Sequence, residues 1–285
     1  ANPIAGLTQG QDGNLYGTTY HGGNKNSGAV FKVNQVLGFT NLFSFNGSNG
    51  NNPSGLIQAN DGNFYGTTES GGNYNQGTIF TMNTKGTESV IYSFQSNNAN
   101  GTNPSSGLIQ AKDGKLYGAT ESGGFYGCGG IFSISLNSIR PTTYPCLDDT
   151  TGYSRLTQGN DGFLYGTSQF GGVYDKGTVL KIDPSLLGGT ITIIYSFSGG
   201  SSGGNPYGRV VQANNNYLYG TTINWGSSKY GTVYKINSNG IESVIYSFQG
   251  DNNGSYPMTG LVAADNGYLY GTTKYGGNKD RKSVV

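Results

Sequence analysis

Charged residues, histidine and cysteine are scarce in this chain of 285 residues, which has 11% charged residues, one His and two Cys. No apolar run approaches the roughly 18 residues of a membrane-spanning helix, so we expect no membrane insertion. With so few His and Cys, a His-rich metal site and a zinc site built on the two cysteines are excluded. The 16 Lys and Arg balance 15 Asp and Glu, and a net charge of +1 argues against a nucleic-acid partner.

Glycine and aromatic residues are abundant instead, with 51 Gly, 22 Tyr and 13 Phe. The glycines lack a three-residue period, which excludes collagen, and the aromatic content is too high for a disordered low-complexity chain. Asn, Ser and Thr are frequent while Lys and Glu are few. This composition is typical of secreted or cell-surface proteins, and we expect the chain to be one.

A repeat of about fifty residues organises the whole sequence. The segment Leu-Tyr-Gly-Thr-Thr and close variants recur, and successive motif tyrosines are 49, 52, 48, 54 and 51 residues apart. These tyrosines are Tyr16, Tyr65, Tyr117, Tyr165, Tyr219 and Tyr270. The repeats cover 5–54, 55–106, 107–154, 155–207, 208–259 and an incomplete 260–285, and we expect residues 1–285 to form a single domain.

Each repeat is predicted to contain four short strands and almost no helix, because no segment has a 3.6-residue apolar period. In the second repeat the strands are Gly55–Ala59, the Tyr65 segment, Gly77–Met82 and Val90–Phe94. The Asp-Gly pairs between strands one and two predict type I′ hairpin turns. Four strands per repeat, six times over, predict an all-β fold: a β-propeller of six four-stranded blades. Seven or more blades are the alternative if the chain is truncated, and a β-solenoid is the less favoured rival.

Two repeats are irregular. The third has Ser138–Cys146 where the others have a Tyr-Ser-Phe strand, and the sixth ends at Ser283–Val285, in its third strand. We expect either a ring that closes with 23 strands or a native chain that continues.

The motif Gly-Leu-x-Gln-x-x-Asp-Gly-x-Leu-Tyr-Gly-Thr-Thr, followed by Gly-Gly, Gly-Thr-Val-Phe and Ile-Tyr-Ser-Phe, resembles the GloVer-type bacterial tandem repeat. The resemblance spans essentially the whole chain. It implies a secreted or surface-displayed bacterial repeat protein, and it implies no activity or catalytic residue.

Antiparallel strands place the tight turns at one end of each blade and the longer connections at the other. The long loops that join consecutive repeats each hold a proline, namely Pro53, Pro104, Pro206 and Pro257. Function on such a scaffold usually lies on loops held by rigid strands. In the loops between strands two and three the frame is fixed and a few positions vary, and their aromatic and polar residues suit a carbohydrate ligand. The candidate ligand-binding residues are Tyr20, His21, Glu69, Tyr74, Glu121, Phe125, Tyr126, Phe170, Tyr174, Trp225, Tyr230 and Tyr275.

Trp225 is the leading candidate because it stands where other repeats have glycine, such as Gly71 and Gly171. The alternative for each of these rings is packing at the contacts between blades.

The motif tyrosines and the strand-four residues Phe45, Phe94, Phe197 and Phe248 repeat in nearly every unit and are predicted to be core. The repeated Asp12, Asp61, Asp113 and Asp161 are interpreted as turn residues rather than metal ligands; no motif supports calcium, and no cofactor is expected.

Catalysis is not expected. His21 is the single histidine, and nothing beside it supplies a nucleophile. Glu69 and Glu121 occupy equivalent positions in neighbouring repeats, which allows the hypothesis of a glycosidase pair. The two carboxyl groups of such a pair lie about 5–5.5 Å apart in retaining enzymes and about 6.5–9.5 Å apart in inverting ones. Solvated loop carboxylates are the simpler interpretation.

Cys128 and Cys146 flank strands three and four of the third repeat, and a hairpin centred on residue 137 would place them opposite each other. We predict a disulfide between them, with two unrelated buried thiols as the alternative.

Together the features of the sequence favour a monomeric, secreted or cell-surface β-propeller that binds carbohydrate through its long loops, as a lectin-like or adhesive protein. A protein-interaction scaffold is the alternative, and a propeller lyase or glycosidase the second.

Overall fold

The computed structural model describes residues 2–34, 36, 38–96, 100–124, 126–147, 150–151, 153–185 and 190–277. Regular structure in these ranges is antiparallel β-sheet plus two three-residue 3-10 helices, Gly200–Ser202 and Asp251–Asn253. The predicted near-absence of helix is therefore confirmed, and none of the described helices could span a membrane. The chain divides into two compact units, Ala1–Pro145 and Cys146–Val285. That residues 1–285 form a single domain stays a prediction.

The first unit contains three four-stranded sheets. The first sheet is β1 (Thr8–Gln9), β2 (Leu15–Thr19), β3 (Ala29–Val33) and β4 (Phe39–Ser44). The second is β5 (Asn51–Gln58), β6 (Phe64–Ser70), β7 (Thr78–Met82) and β8 (Glu88–Ser93). The third is β9 (Ile109–Gln110), β10 (Leu116–Thr120), β11 (Gly130–Ile134) and β12 (Thr142–Pro145). In each sheet neighbours in sequence are neighbours in space, as four-stranded repeats require.

The second unit continues the pattern with two complete sheets and a short one. The fourth sheet is β13 (Thr157–Gln158), β14 (Leu164–Ser168), β15 (Thr178–Ile182) and β16 (Ile191–Ser196). The fifth is β17 (Gly204–Pro206), β18 (Val211–Gln212), β19 (Leu218–Asn224), β20 (Thr232–Ile236) and β21 (Glu242–Ser247), with β17 and β18 both paired to β19. The sixth, in the described part, is β22 (Val262–Ala263) and β23 (Leu269–Tyr270). The predicted strand at Ser283–Val285 lies outside the described residues.

The third sheet contains the fourth strand that was predicted between Cys128 and Cys146, although its sequence diverges from the other repeats. The divergent segment without a Tyr-Ser-Phe motif still forms a fourth strand, because β12 pairs with β11 in register. Tyr144 of β12 is buried and its ring lies 6.3 Å from that of the motif residue Tyr117. A buried aromatic residue therefore fills the fourth strand even where the motif is lost.

The Gly of the Tyr-Gly-Thr motif makes room for an aromatic ring on the next strand. Gly66 pairs with Phe80 across β6 and β7, and a Cβ built on Gly66 would lie 2.6 Å from Phe80 Cζ. Phe80 in turn packs edge-on against Phe45, which directly follows β4 of the first sheet, with ring centroids 5.0 Å apart. We call such a contact between consecutive sheets a seam. Aromatic pairs of this kind also join Phe94 to Phe132 and Phe197 to Tyr234.

Burial confirms that the motif aromatics are core. The motif tyrosines of the first five sheets and the four strand-four phenylalanines are 9% exposed or less. Tyr270 of the short sixth sheet is the exception, at 38% exposed.

The turns between strands one and two correct the predicted turn type. In the second sheet Gly62 N–H donates to Ala59 C=O and Ala59 N–H to Asn63 C=O, each at 2.9 Å. Among these residues only Gly62 has a positive φ, of 82°. A type I′ turn needs two positive φ angles, so this is a type I turn followed by a left-handed glycine. The fifth sheet places Asn216, with φ 62°, in the same role.

The repeated aspartates hold the motif tyrosines. The Asp61 carboxylate accepts hydrogen bonds from the Asn63 N–H at 3.0 Å and from the Tyr65 hydroxyl at 2.7 Å. The same 2.7 Å bond joins the equivalent pairs at Asp12, Asp113 and Asp161. Burial alone would raise the pKa of the Asp61 carboxyl, but the bonds from Tyr65 and Asn63 outweigh it and hold that pKa below its ordinary value. Turn formation thus accounts for these aspartates, and within the described ranges no cluster of His, Cys, Asp or Glu could hold a metal.

Glutamines link consecutive sheets at the tight-turn end. Gln58 Nε2 donates to Gly62 C=O at 2.7 Å, and Gln58 Oε1 accepts from the N–H of Gln11 in the preceding sheet at 2.7 Å. Gln110 and Gln212 accept the corresponding N–H groups of Asn60 and Asn160. The side chain therefore ties its own turn to the preceding one.

Candidate functional site

An asparagine links consecutive sheets at the opposite end, where the long loops lie. Asn103, in the loop before the third sheet, has a φ of 57°. Its Nδ2 donates to Glu69 C=O of the second sheet at 3.0 Å, and its Oδ1 accepts from Ser122 Oγ of its own sheet at 3.1 Å. Its N–H donates to Gln76 C=O at 2.9 Å. We call this arrangement the asparagine clamp.

The clamp recurs at two other seams, where the donor to the asparagine Oδ1 is Ser70 Oγ or Asn224 Nδ2. Asn52 Nδ2 donates to Tyr20 C=O and Asn205 Nδ2 to Gln169 C=O, both at 3.0 Å. Each clamp asparagine precedes a proline, and that proline packs on the glycine directly before the third strand of the preceding sheet. At the second seam, for example, a Cβ on Gly77 would lie 2.6 Å from Pro104 Cδ. The clamp residues were not predicted, although the repeated Asn-Pro pairs carry a readable signal for them.

Tyrosines replace the clamp between the fifth and sixth sheets. Tyr256 stands in the asparagine position, with φ 56° and its N–H donated to Tyr230 C=O at 2.9 Å. Its ring lies edge-on to Tyr230 at 6.0 Å and to Tyr275 at 5.9 Å. Tyr230 and Tyr275 are 38% and 57% exposed. We call these three residues the tyrosine cluster; Tyr256 is the member that was not predicted from the sequence.

Trp225 lies in the same loop as Tyr230 and has an unusual backbone. Its φ is 67°, in the left-handed region where Gly71 and Gly171 have φ 80° and 84°. The half-buried indole lies against two loop glycines, since Cβ atoms built on Gly199 and Gly204 would come within 3.3 Å and 2.7 Å of it. Both interpretations of Trp225 thus keep support: the ring packs at a seam and also remains partly exposed.

The tyrosine cluster and Trp225 together form what we call the aromatic strip, at the long-loop end of the second unit. Residues 225–230 join its two parts within one loop, and a backbone bridge pairs Trp225 with Tyr230. Lys176 Nζ lies 5.7 Å from the Trp225 ring centroid and Lys274 Nζ 5.1 Å from that of Tyr275. The strip therefore combines exposed rings with positive charge.

The first unit carries a smaller polar group at its long-loop end. Tyr20 hydroxyl donates to Glu69 Oε2 at 2.6 Å, and the His21 ring lies edge-on to Tyr20 at 4.8 Å. The bond to Glu69, then burial and the charges of Glu69 and Glu121, raise the pKa of Tyr20 to about 12. His21 Nδ1 lies 3.4 Å from Asn52 Nδ2 of the clamp. The carboxylate of Glu69, one of the two residues of the hypothetical glycosidase pair, thus accepts a hydrogen bond from a phenol.

The remaining predicted rings do not join either group through a described ring contact. Tyr74, Tyr126, Phe170 and Tyr174 are exposed, and Phe125 lies outside the described residues. Cys128 and Cys146 are buried and disulfide-bonded, with Cys128 just before β11 and Cys146 directly after β12.

An open cavity of about 730 Å³ lies along the outer strand of the fourth sheet. Its lining includes Ile193 and Tyr195 of β16 and Val173 of the adjacent loop. Tyr195 hydroxyl donates to Glu242 at 3.1 Å, and burial raises the pKa of the Glu242 carboxyl.

A sequence model described as the Gloeobacter/Verrucomicrobia repeat matches residues 2–199 and 152–284. No curated protein matches the chain in sequence.

Solved structures with a similar fold are β-propellers, which confirms the predicted fold class. Virginiamycin B lyase from Staphylococcus aureus, a catalytically inactive histidine-to-alanine variant with quinupristin, has a TM-score of 0.68 at 18% identity over 95% of this chain and 77% of its own. A putative 6-phosphogluconolactonase from Bacteroides fragilis gives 0.62 at 16% identity over 100% and 83%. TolB from Acinetobacter baumannii gives 0.50 at 15% identity over 88% and 58%. At these identities the similarity shows the fold alone, and the number of blades stays a prediction.

Proposed function

The chain belongs to the Gloeobacter/Verrucomicrobia repeat family, and from its propeller fold and its aromatic strip we propose that it is a carbohydrate-binding module. The proposal includes a location outside the bacterial cell, in keeping with the Asn-, Ser- and Thr-rich composition and the disulfide. It assigns no catalytic residue to the chain.

The replacement of the asparagine clamp by the tyrosine cluster is the observation that carries the proposal. At the other described seams within each unit, Asn52, Asn103 and Asn205 bond their side chains to backbone carbonyls of the preceding sheet. The seam holding Tyr256 keeps the backbone bonds but exchanges this side-chain bond for ring contacts. Because a clamp asparagine suffices to hold a seam, the exposed rings point to a role beyond structure.

The chemistry of the strip suits a sugar. Flat rings with exposed edges and faces pack against the apolar face of a pyranose, while phenol hydroxyls and loop amides bind its hydroxyl groups. Trp225 supports the same conclusion, because a non-glycine residue in the left-handed region costs about 1–2 kcal/mol. Such strain tends to persist at functional sites.

A protein partner is the second candidate, favoured by the cavity along β16. Exposed Val173 and Tyr174 lie at its loop, and Ile193 and Tyr195 lie on the strand. Large apolar residues that gather at an open groove are typical of interaction sites.

A glycan-array screen of the full chain tests the proposal, followed by titration of the best ligand with Tyr275→Ala and Trp225→Gly. Each variant should weaken binding about tenfold, because one ring face buries on the order of 60 Å² at about 25 cal/mol per Å². Tyr268→Ala is the matched control, since this exposed tyrosine lies at the tight-turn end of the same unit. Thermal unfolding checks that each variant is folded. Absence of glycan binding, or equal loss with the control, would refute the proposal and favour the protein partner.

A further inference from the structure

We propose that the ligand of the aromatic strip is an acidic polysaccharide, whose carboxylate or sulfate groups are bound by Lys274 and Lys176. This inference rests on the proposed carbohydrate function and names the class of sugar. It comes from the positions of the charges beside the rings.

Each lysine accompanies an aromatic residue of the strip. Lys274 precedes Tyr275 and its Nζ lies 5.1 Å from that ring's centroid; Lys176 Nζ lies 5.7 Å from the Trp225 ring. Lys229, exposed and with a φ of 68°, lies in the loop between Trp225 and Tyr230. A sugar stacked on these rings would therefore place its substituents within reach of ammonium groups.

These ammonium groups have no carboxylate partner in the described ranges of the chain. The two ion pairs found there, Lys115–Asp113 and Lys181–Asp161, both lie at tight-turn ends. Lys176 Nζ instead donates to Asp175 C=O at 3.5 Å. The Asp175 carboxylate accepts a hydrogen bond from the Gly171 N–H at 3.0 Å, within its own loop. Among the described residues no carboxylate neutralises the ammonium groups that lie over these rings, and their charge can attract an anionic ligand.

The position of Lys274 has no structural requirement for a cation. The equivalent residues four positions after the motif tyrosine are Tyr20, Glu69, Glu121, Gln169 and Ile223. The backbone there makes the seam contact, since Lys274 N–H donates to Tyr256 C=O at 3.1 Å as Glu121 N–H does to Asn103 C=O at 3.1 Å. The ammonium group is therefore extra to the fold, as the exposed rings are.

Polygalacturonate and its fully methyl-esterified form are the decisive probes, because they share a backbone and differ in charge. Heparin carries sulfate groups in addition to carboxylates, and dextran is the neutral control. Binding of the full chain is measured by affinity gel electrophoresis and calorimetry at 50 mM and 500 mM NaCl. The variants are Lys274→Gln, Lys176→Gln and Tyr275→Ala, with Lys85→Gln as a matched control because Lys85 is an exposed turn residue of the first unit.

The expected result is binding to polygalacturonate or heparin that falls at least tenfold on methyl-esterification or in 500 mM NaCl. Each strip lysine variant should lose about two- to fivefold, and Lys85→Gln should lose nothing. If the acidic polymers are preferred, binding of polygalacturonate shows that carboxylate groups suffice, and binding of heparin without polygalacturonate shows that sulfate is required. Equal binding of neutral and acidic polymers that still depends on Tyr275 would overturn the acidic ligand and leave the carbohydrate function standing. If neither the wild type nor Tyr275→Ala binds any of the polymers, both the acidic ligand and the carbohydrate function are overturned.

Discussion

Replacement of the clamp residue Asn103 separates the two demands that a seam makes on one position. The side chain must bond Glu69 C=O and Ser122 Oγ, and the backbone must hold a φ of 57°. Asn103→Gly keeps the backbone freedom and removes both side-chain bonds. Asn103→Ala removes the bonds and also places a Cβ in the left-handed region.

The expected losses follow from these two terms. Two hydrogen bonds at about 1 kcal/mol each predict a decrease of about 2 kcal/mol in the free energy of unfolding for Asn103→Gly. The left-handed backbone adds about 1 kcal/mol for Asn103→Ala. At about 2–3 °C per kcal/mol for a chain of this size, the melting temperature should fall by about 5 °C and 8 °C.

Urea denaturation and calorimetry of the two variants measure these losses. Asn24→Ala is the control, because this exposed loop asparagine makes no side-chain bond among the hydrogen bonds of the described residues, and it should lie within about 0.5 kcal/mol of the wild type. The clamp would be refuted if Asn103→Gly matched that control, and the backbone argument if Asn103→Ala were as stable as Asn103→Gly.

Three further perturbations test other parts of the fold. Gly77→Ala should cost more than about 3 kcal/mol in urea denaturation, because a Cβ there meets Pro104 Cδ at 2.6 Å with φ at 95°; a near-neutral result would contradict the packing. Asp61→Asn should lower the melting temperature at pH 7 and lower it less at pH 3: the depressed pKa of Asp61 means that its stabilisation is present above the ordinary carboxyl pKa and is lost as pH falls. A constant difference across this range would show that the carboxylate charge is irrelevant. Reduction of the disulfide of Cys128 and Cys146 should cost about 3 kcal/mol, measured by unfolding with and without reductant. The Cys128→Ser/Cys146→Ser variant, which has no disulfide, is the control and should not respond to reductant; an unchanged midpoint for the wild type would count against a structural role of the disulfide.

The repeat allowed the architecture to be predicted because its signals are local. Alternating apolar residues, turn glycines and the fifty-residue period each report on strands that pair with their sequence neighbours. The turn type was wrong because the Asp-Gly pair occurs in both kinds of hairpin: only the register, with Gln58 opposite Phe64, decides that Gly62 follows a type I turn. The third sheet kept its fourth strand because Tyr144 fills the core without the motif.

The candidate site could be predicted only in part, because the contacts that distinguish its residues form between one repeat and the next. Trp225, Tyr230 and Tyr275 were found as variable aromatic residues, whereas Tyr256 was missed because it precedes a proline in a different loop. Its meaning depends on the clamp, in which Asn52 and Asn103 bond carbonyls of a preceding repeat. No local pattern reveals that partner.

The clamp also bears on how such chains can diversify. Asn103 and Gln110 both reach the preceding repeat through its backbone, at Glu69 C=O and Asn60 N–H. A contact read from main-chain atoms is indifferent to the side chains of the neighbour. Repeats joined in this way can replace one another, because each forms the same contacts with the main chain of its neighbour. Duplication or recombination of one repeat therefore preserves the contacts between sheets. Selection can therefore change the residues at a single seam, as at Tyr256, while the other seams keep the asparagine clamp.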